Sequence, residues 1–134
     1  MNKRISITLI ALLLVSSVLT ACGGVPAPVT LSSLPVFTGA TDTANAALSA
    51  GLSAALDEMK TQPTIGGVEG KAYDLPEGTT FDAVAAFYKG ALEKGGWTTV
   101  MSTSPSLGYT RGKQGLNITF LEGVGMMVML SNIK

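Results

Sequence analysis

The chain has 134 residues, nine basic and nine acidic, so its formal net charge is zero. It contains one cysteine and no histidine, which removes the commonest general base and metal ligand and with them any Ser-His-Asp or Cys-His arrangement. The length suits one domain with a modest core.

Met1-Asn2-Lys3-Arg4 opens the chain with two positive charges, and the apolar run Ile5–Val15 follows. Small residues, Ser16-Ser17, then lead into Val18. A charged start, a short apolar stretch and a small-residue end are the three parts of a secretory signal. The apolar run is short for a spanning helix, which needs about 20 residues. It closes on Leu19-Thr20-Ala21-Cys22, followed by Gly23-Gly24.

These four residues resemble the lipobox of bacterial lipoproteins, with Leu three positions before Cys and Ala directly before it. The resemblance implies that the Cys22 thiol takes a diacylglycerol and that a signal peptidase cuts between Ala21 and Cys22, releasing residues 1–21. It implies a cell-envelope protein held to a membrane by the acyl chains of Cys22. Each buried methylene contributes roughly 0.8 kcal/mol and one chain binds only marginally, so two or three are needed for a lasting anchor. Gly23 is not the Asp that, in many two-membrane bacteria, keeps such proteins at the inner membrane. The outer membrane is therefore favoured where one exists. Acylation also takes the only thiol out of the chemistry: no disulfide, thiolate nucleophile or thiolate metal site remains.

Loss of Lys3 and Arg4 with the signal leaves nine acidic and seven basic residues, a net charge of about −2. That argues against nucleic acid as a partner, and against electrostatic attraction to anionic lipid. Residues 22–36 are read as the lipidated cysteine and a flexible tether. Three prolines, two glycines and no charge follow Cys22, with no helical period. Fully stretched, residues 23–36 would reach roughly 45–50 Å. Val36-Phe37 is the earliest point expected to meet the domain, which takes residues 37–134.

Thr41-Asp42-Thr43 offers helix caps. The alanine-rich segment Ala44–Lys60 then carries Leu48, Leu52, Ala55, Leu56 and Met59 on one helical face, and Thr61-Gln62-Pro63 ends it. This stripe is expected to dock rather than to meet a partner. A strand is expected over Val68–Leu75 and a turn over Pro76-Glu77-Gly78. Thr79 and Asp82 suit a capping box for a helix over Thr80–Lys94. Val84, Phe87, Tyr88, Ala91 and Leu92 fall on one face of it, and Gly95-Gly96 supplies a left-handed stop.

From Trp97 the period changes to two. Strands are expected over Trp97–Thr103, Leu107–Arg111, Leu116–Glu122 and Met126–Ile133, with Gly112-Lys113-Gln114-Gly115 as a hairpin turn. The fold class is α+β: an antiparallel meander sheet of four to five strands, one main helix packed on it, and an extra N-terminal alanine-rich helix. The run Tyr73 to Phe81, with Val84, Phe87-Tyr88, Leu92 and Gly96-Trp97, is similar to a pattern in small uncharacterised bacterial secreted and lipoprotein domains. There a phrase like Pro35-Val36-Phe37-Thr38-Gly39-Ala40 precedes a Phe-Tyr helix ending in Gly-Trp. That resemblance covers residues 35–133 and implies a fold without an activity. The helix at 44–60 reads as an insertion relative to it.

Chemistry-bearing residues are few. Asp57 and Glu58 are adjacent on a helix and point different ways. Asp74 and Glu77 flank a turn, so no spacing suggests a facing carboxylate pair of the glycosidase kind. No Gly-rich phosphate loop opens a helix after a strand. No cofactor is expected, and no enzymatic activity. Two candidate sites remain. Tyr73, Trp97 and Tyr109 would line a ligand face on the uncovered side of the sheet, or form a second small core closed by the helix at 44–60. Met127 and Met129 share a face of the last strand, with Met101 near them. Thioethers suit Cu(I), although methionine more often fills irregular core space. The function expected is a lipid-anchored, non-enzymatic binding or structural module with an envelope protein as its possible partner. The alternative is surface capture of a small ligand or soft metal ion.

Overall fold

The structure, a computed structural model, describes residues 23–134. The signal segment 1–21, its cleavage point between Ala21 and Cys22, and the lipidation residue Cys22 lie outside the described residues. The elements in chain order are a short 3-10 turn at Leu31–Ser33, β1 (Thr41–Asp42), α1 (Ala46–Lys60), β2 (Ile65–Asp74), α2 (Phe81–Lys94), β3 (Thr98–Thr103), β4 (Ser106–Arg111), β5 (Gln114–Leu121) and β6 (Gly125–Ile133). Among the described residues no helix is long and apolar enough to cross a membrane.

The strands form one antiparallel sheet in the order β1-β2-β6-β5-β4-β3. The α+β class and the meander are as the sequence reads, but the described residues form six strands rather than four or five. The sixth is β1, two residues long, and no periodicity can mark so short a strand. Thr41 and Asp42 pair with Asp74 and Tyr73, so they belong to the sheet edge and not to a helix cap. The cap of α1 is Asn45, whose side chain accepts from the Ala47 and Leu48 amides at 2.9 and 3.1 Å. At α2 the capping hydroxyl is that of Thr80, which accepts from the Ala83 amide at 3.2 Å. The expected Thr79–Asp82 box is not formed, because the Thr79 hydroxyl donates back to the Pro76 carbonyl at 2.6 Å. Gly96, with φ of 82°, is the left-handed stop.

The period-two pattern sorts the sheet into two faces. One face carries Tyr73, Leu107, Tyr109, Leu116, Ile118, Phe120, Met126, Val128 and Leu130, and α2 packs on it through Val84, Tyr88 and Leu92. Val84, Ile118, Met126 and Leu130 are fully buried. Burying each such side chain contributes about 1.5–3 kcal/mol, so this is the principal core. The other face carries Ala72, Leu121, Met127 and Met129, and α1 packs there through Leu48, Leu52 and Leu56. The apolar stripe of α1 is therefore a docking face.

The segment expected to be a tether lies, from Val25 on, along the α2 side of the sheet. The Val29 amide donates to Gln114 Oε1 at 2.8 Å, and Gln114 Nε2 donates back to the Val29 carbonyl at 2.8 Å. The same Nε2 also donates to Asn132 Oδ1 at 2.8 Å. Arg111 Nη1 donates to the Ala27 carbonyl at 2.7 Å, and the Leu31 amide donates to Glu69 Oε2 at 2.9 Å. Val29, Leu31, Leu34 and Phe37 pack against the principal core, with the Phe37 ring edge-on to Phe87 at 5.3 Å. The reading of residues 22–36 as a wholly flexible tether is corrected accordingly. Apolar residues between prolines find a strip of sheet that α2 leaves open, and buried Gln114 satisfies the strap's backbone.

Candidate binding surface

The surface begins with the incomplete cover on the α1 side. Helix α1 lies over β2 and touches β6. Gly70 is what lets it settle: a Cβ there would come within 2.8–2.9 Å of Leu52 and Leu56 methyls. Leu48 and Leu52 are buried, whereas Leu56 and Met59 are only half-buried. Beyond β6 and Leu121 of β5, no helix among the described residues covers this face of β5, β4 and β3.

Cross-strand register builds what is exposed there. Met129 stands opposite Asn117, Asn117 opposite Gly108, and Gly108 opposite Met101. The next row is Ser131, Gly115, Thr110 and Thr98. The glycines at the centre of these rows leave a hollow of about 340 Å³, walled by Met59 and Met129 on one side and Val100 and Met101 on the other. A bulge between Thr99 and Met101 directs Val100 over the same floor. A Cβ at Gly108 would meet both Val100 and Met101 at 3.3 Å. Val100 is 62% exposed and Met101 41%. Among the described residues, none that lines the hollow is charged. Of its polar lining, Asn117 accepts from the Thr119 hydroxyl at 3.1 Å and the Ser131 hydroxyl donates to the Gly115 carbonyl at 3.2 Å. Beside it runs β3, an edge strand of the sheet, whose outer backbone edge pairs with no strand among the described residues.

Of the methionines singled out from sequence, Met101 and Met129 meet at this hollow, while Met127 packs against the Leu48–Leu52–Ala72 cluster. Met59 joins them from α1, a contribution that the strand pattern alone could not indicate. Among the described residues no group of three or more His, Cys, Asp or Glu could hold a metal ion.

The aromatic face is not formed. Tyr73, Trp97 and Tyr109 are 7%, 5% and 2% exposed and belong to the principal core under α2, not to an open side or to the α1 cluster. Burial raises the pKa of Tyr73 and Tyr109 above the ordinary phenol value, and raises that of Tyr88 far above it. The phenols are thus held neutral as core groups. Tyr73 also borders an open groove of about 520 Å³ beside Leu31, Val36, Glu69 and Lys71. There the Lys71 ammonium lies 5.5 Å from its ring centre and 2.8 Å from Asp42. Val84, Tyr88, Leu92, Ile118 and Tyr109 fill the seam between α2 and the sheet with buried side chains.

A family model described as START domain-like matches residues 78–124, from the turn ahead of α2 to the β5–β6 turn. No curated protein and no solved structure matches the chain. The match covers about a third of the chain, so it describes a likeness of α2 with β3, β4 and β5.

Proposed function

We propose that the protein is a lipid-anchored, non-enzymatic binding module of the cell envelope. Its binding surface is the uncovered half of the α1-side sheet face. The observation that supports this most is the uncharged hollow at Gly108 and Gly115, set beside the edge strand β3 with Val100 and Met101 exposed at its rim. A polypeptide segment suits that combination: its backbone pairs with an edge strand and an apolar side chain enters the hollow. The START domain-like likeness is in keeping with a binding module, and the lipobox with the anchor.

Photo-crosslinking in living cells tests the reading. A crosslinker at Met101 is expected to capture a discrete envelope protein, one at exposed Lys89 on α2 is not, and Gly108→Val is expected to abolish the capture by filling the floor. Equal capture at both positions, or capture that survives Gly108→Val, would remove this surface as the site.

A second reading rests on Met59, Met101 and Met129 lining one hollow: it would take a soft ion such as Cu(I). A Cu(I) titration under reducing conditions decides it. Binding no tighter than in Met101→Leu/Met129→Leu ends the idea.

A further inference from the structure

The strap changes where a lipid anchor would hold the domain. Val25 and Pro26 lie over Gly112, where a Cβ would come within 3.0 and 3.1 Å of them. Ala27, Val29 and Leu31 are then hydrogen-bonded to the sheet. Only five residue steps separate Cys22 from Ala27, at most roughly 17–18 Å, against the 45–50 Å of a free tether. We infer that the end of the sheet bearing the β4–β5 turn is a membrane-apposed surface, pressed against lipid headgroups by the docked strap. This rests on the lipid-anchored reading of Cys22.

The chemistry of that end fits a bilayer interface. Helices α1 and α2 finish there, β4 turns into β5, and β6 ends. Five of the seven basic residues outside the signal, Lys60, Lys94, Arg111, Lys113 and Lys134, lie at or beside it, against Asp57, Glu58 and Glu93. The opposite end carries Asp42, Asp74, Glu77, Asp82 and Glu122. The slightly negative net charge thus conceals a polarity, and the sequence-based argument against attraction to anionic lipid does not apply to this end. Val25 and Ile133 are 68% and 45% exposed here. With Pro26 and Pro28 they line an open hollow of about 310 Å³ that includes Lys113. Apolar side chains flanked by lysines suit the headgroup boundary. Acyl chains supply the binding, and the strap and this end fix which way up the domain sits.

Acylation blocks Cys22, so an added cysteine is a unique labelling site in the lipidated protein. Exposed Lys113 and Glu122 stand at opposite ends of β5, whose eight residues span about 26 Å. Lys113→Cys and Glu122→Cys, each carrying a fluorophore, are placed by their lipid anchors in vesicles of phosphatidylethanolamine and phosphatidylglycerol containing headgroup-nitroxide lipid. The label at 113 is expected to be quenched several-fold more than that at 122. In a Gln114→Ala background the protein stays on the vesicles but the difference collapses. Equal quenching at the two ends, the reverse order, or a difference unchanged by Gln114→Ala overturns the inference while the anchor stands. A purified chain whose mass lacks acyl groups and whose Cys22 thiol reacts overturns the anchor reading, and this inference with it.

Discussion

Gln114→Ala is the substitution that best separates the strap from the sheet. Gln114 is 2% exposed and makes three hydrogen bonds, two to the Val29 backbone and one to Asn132. Each is worth about 0.5–1.5 kcal/mol net. The strap can turn its freed groups to water by lifting, so the global loss is smaller than the sum, about 1–3 kcal/mol. For a domain of this size each kcal/mol lowers Tm by roughly 3–6 °C. The informative reading is amide hydrogen exchange at Leu31, whose partner, Glu69, the substitution does not touch. If the strap docks as one unit, a loss of about 2 kcal/mol speeds Leu31 exchange roughly 30-fold. A Leu31 amide that keeps its protection while Val29 loses it would refute the reasoning. Glu69 and the apolar contacts would then hold the strap without Gln114.

Gly70→Val forces methyl groups into the space of Leu52 and Leu56. Overpacking of this kind costs about 1–3 kcal/mol, so thermal denaturation should shift down while the core under α2 keeps its near-ultraviolet circular dichroism signal. All three tyrosines, Tyr73, Tyr88 and Tyr109, have pKa values raised in the folded state, chiefly by burial. The native state therefore holds phenolic protons that the unfolded chain releases from about pH 10. This stability is fully present below that pH and is lost as pH rises above it. Tyrosinate absorbance should accordingly appear at higher pH in the folded protein than in the unfolded chain, and a normal titration of one tyrosine in the folded protein would contradict its placement. Cys22→Ser should leave an unlipidated precursor that is not cut after Ala21, detected by mass; normal processing would sink the lipoprotein reading.

The elements legible in the sequence are those whose signals are local. Helix α2 announces itself by Val84, Phe87, Tyr88, Ala91 and Leu92 and by the Gly95-Gly96 stop, β4 and β5 by alternation, and β6 by a nearly all-apolar run. The residues around the hollow were only partly legible. Met129 and Met101 stand out as sulfur in apolar strands, but Gly108 reads as an ordinary strand glycine, Gly115 as part of a hairpin turn, and Met59 as part of a docking stripe. What makes them one surface is register across four strands and the narrow reach of α1.

The sequence by itself determined the fold class and the two long helices with their buried faces, because periodicity is read within a few residues of chain. Only the tertiary structure decided which side of the sheet Tyr73, Trp97 and Tyr109 occupy, since alternation says that residues share a face and not which helix covers it. It alone decided that β2 lies beside β6. It alone decided the strap: Pro and Gly make residues 23–36 extended wherever they are, and whether they dock depends on Gln114, 85 residues from Val29. A residue read as part of a turn thereby becomes the one that ties the N-terminal segment to the sheet.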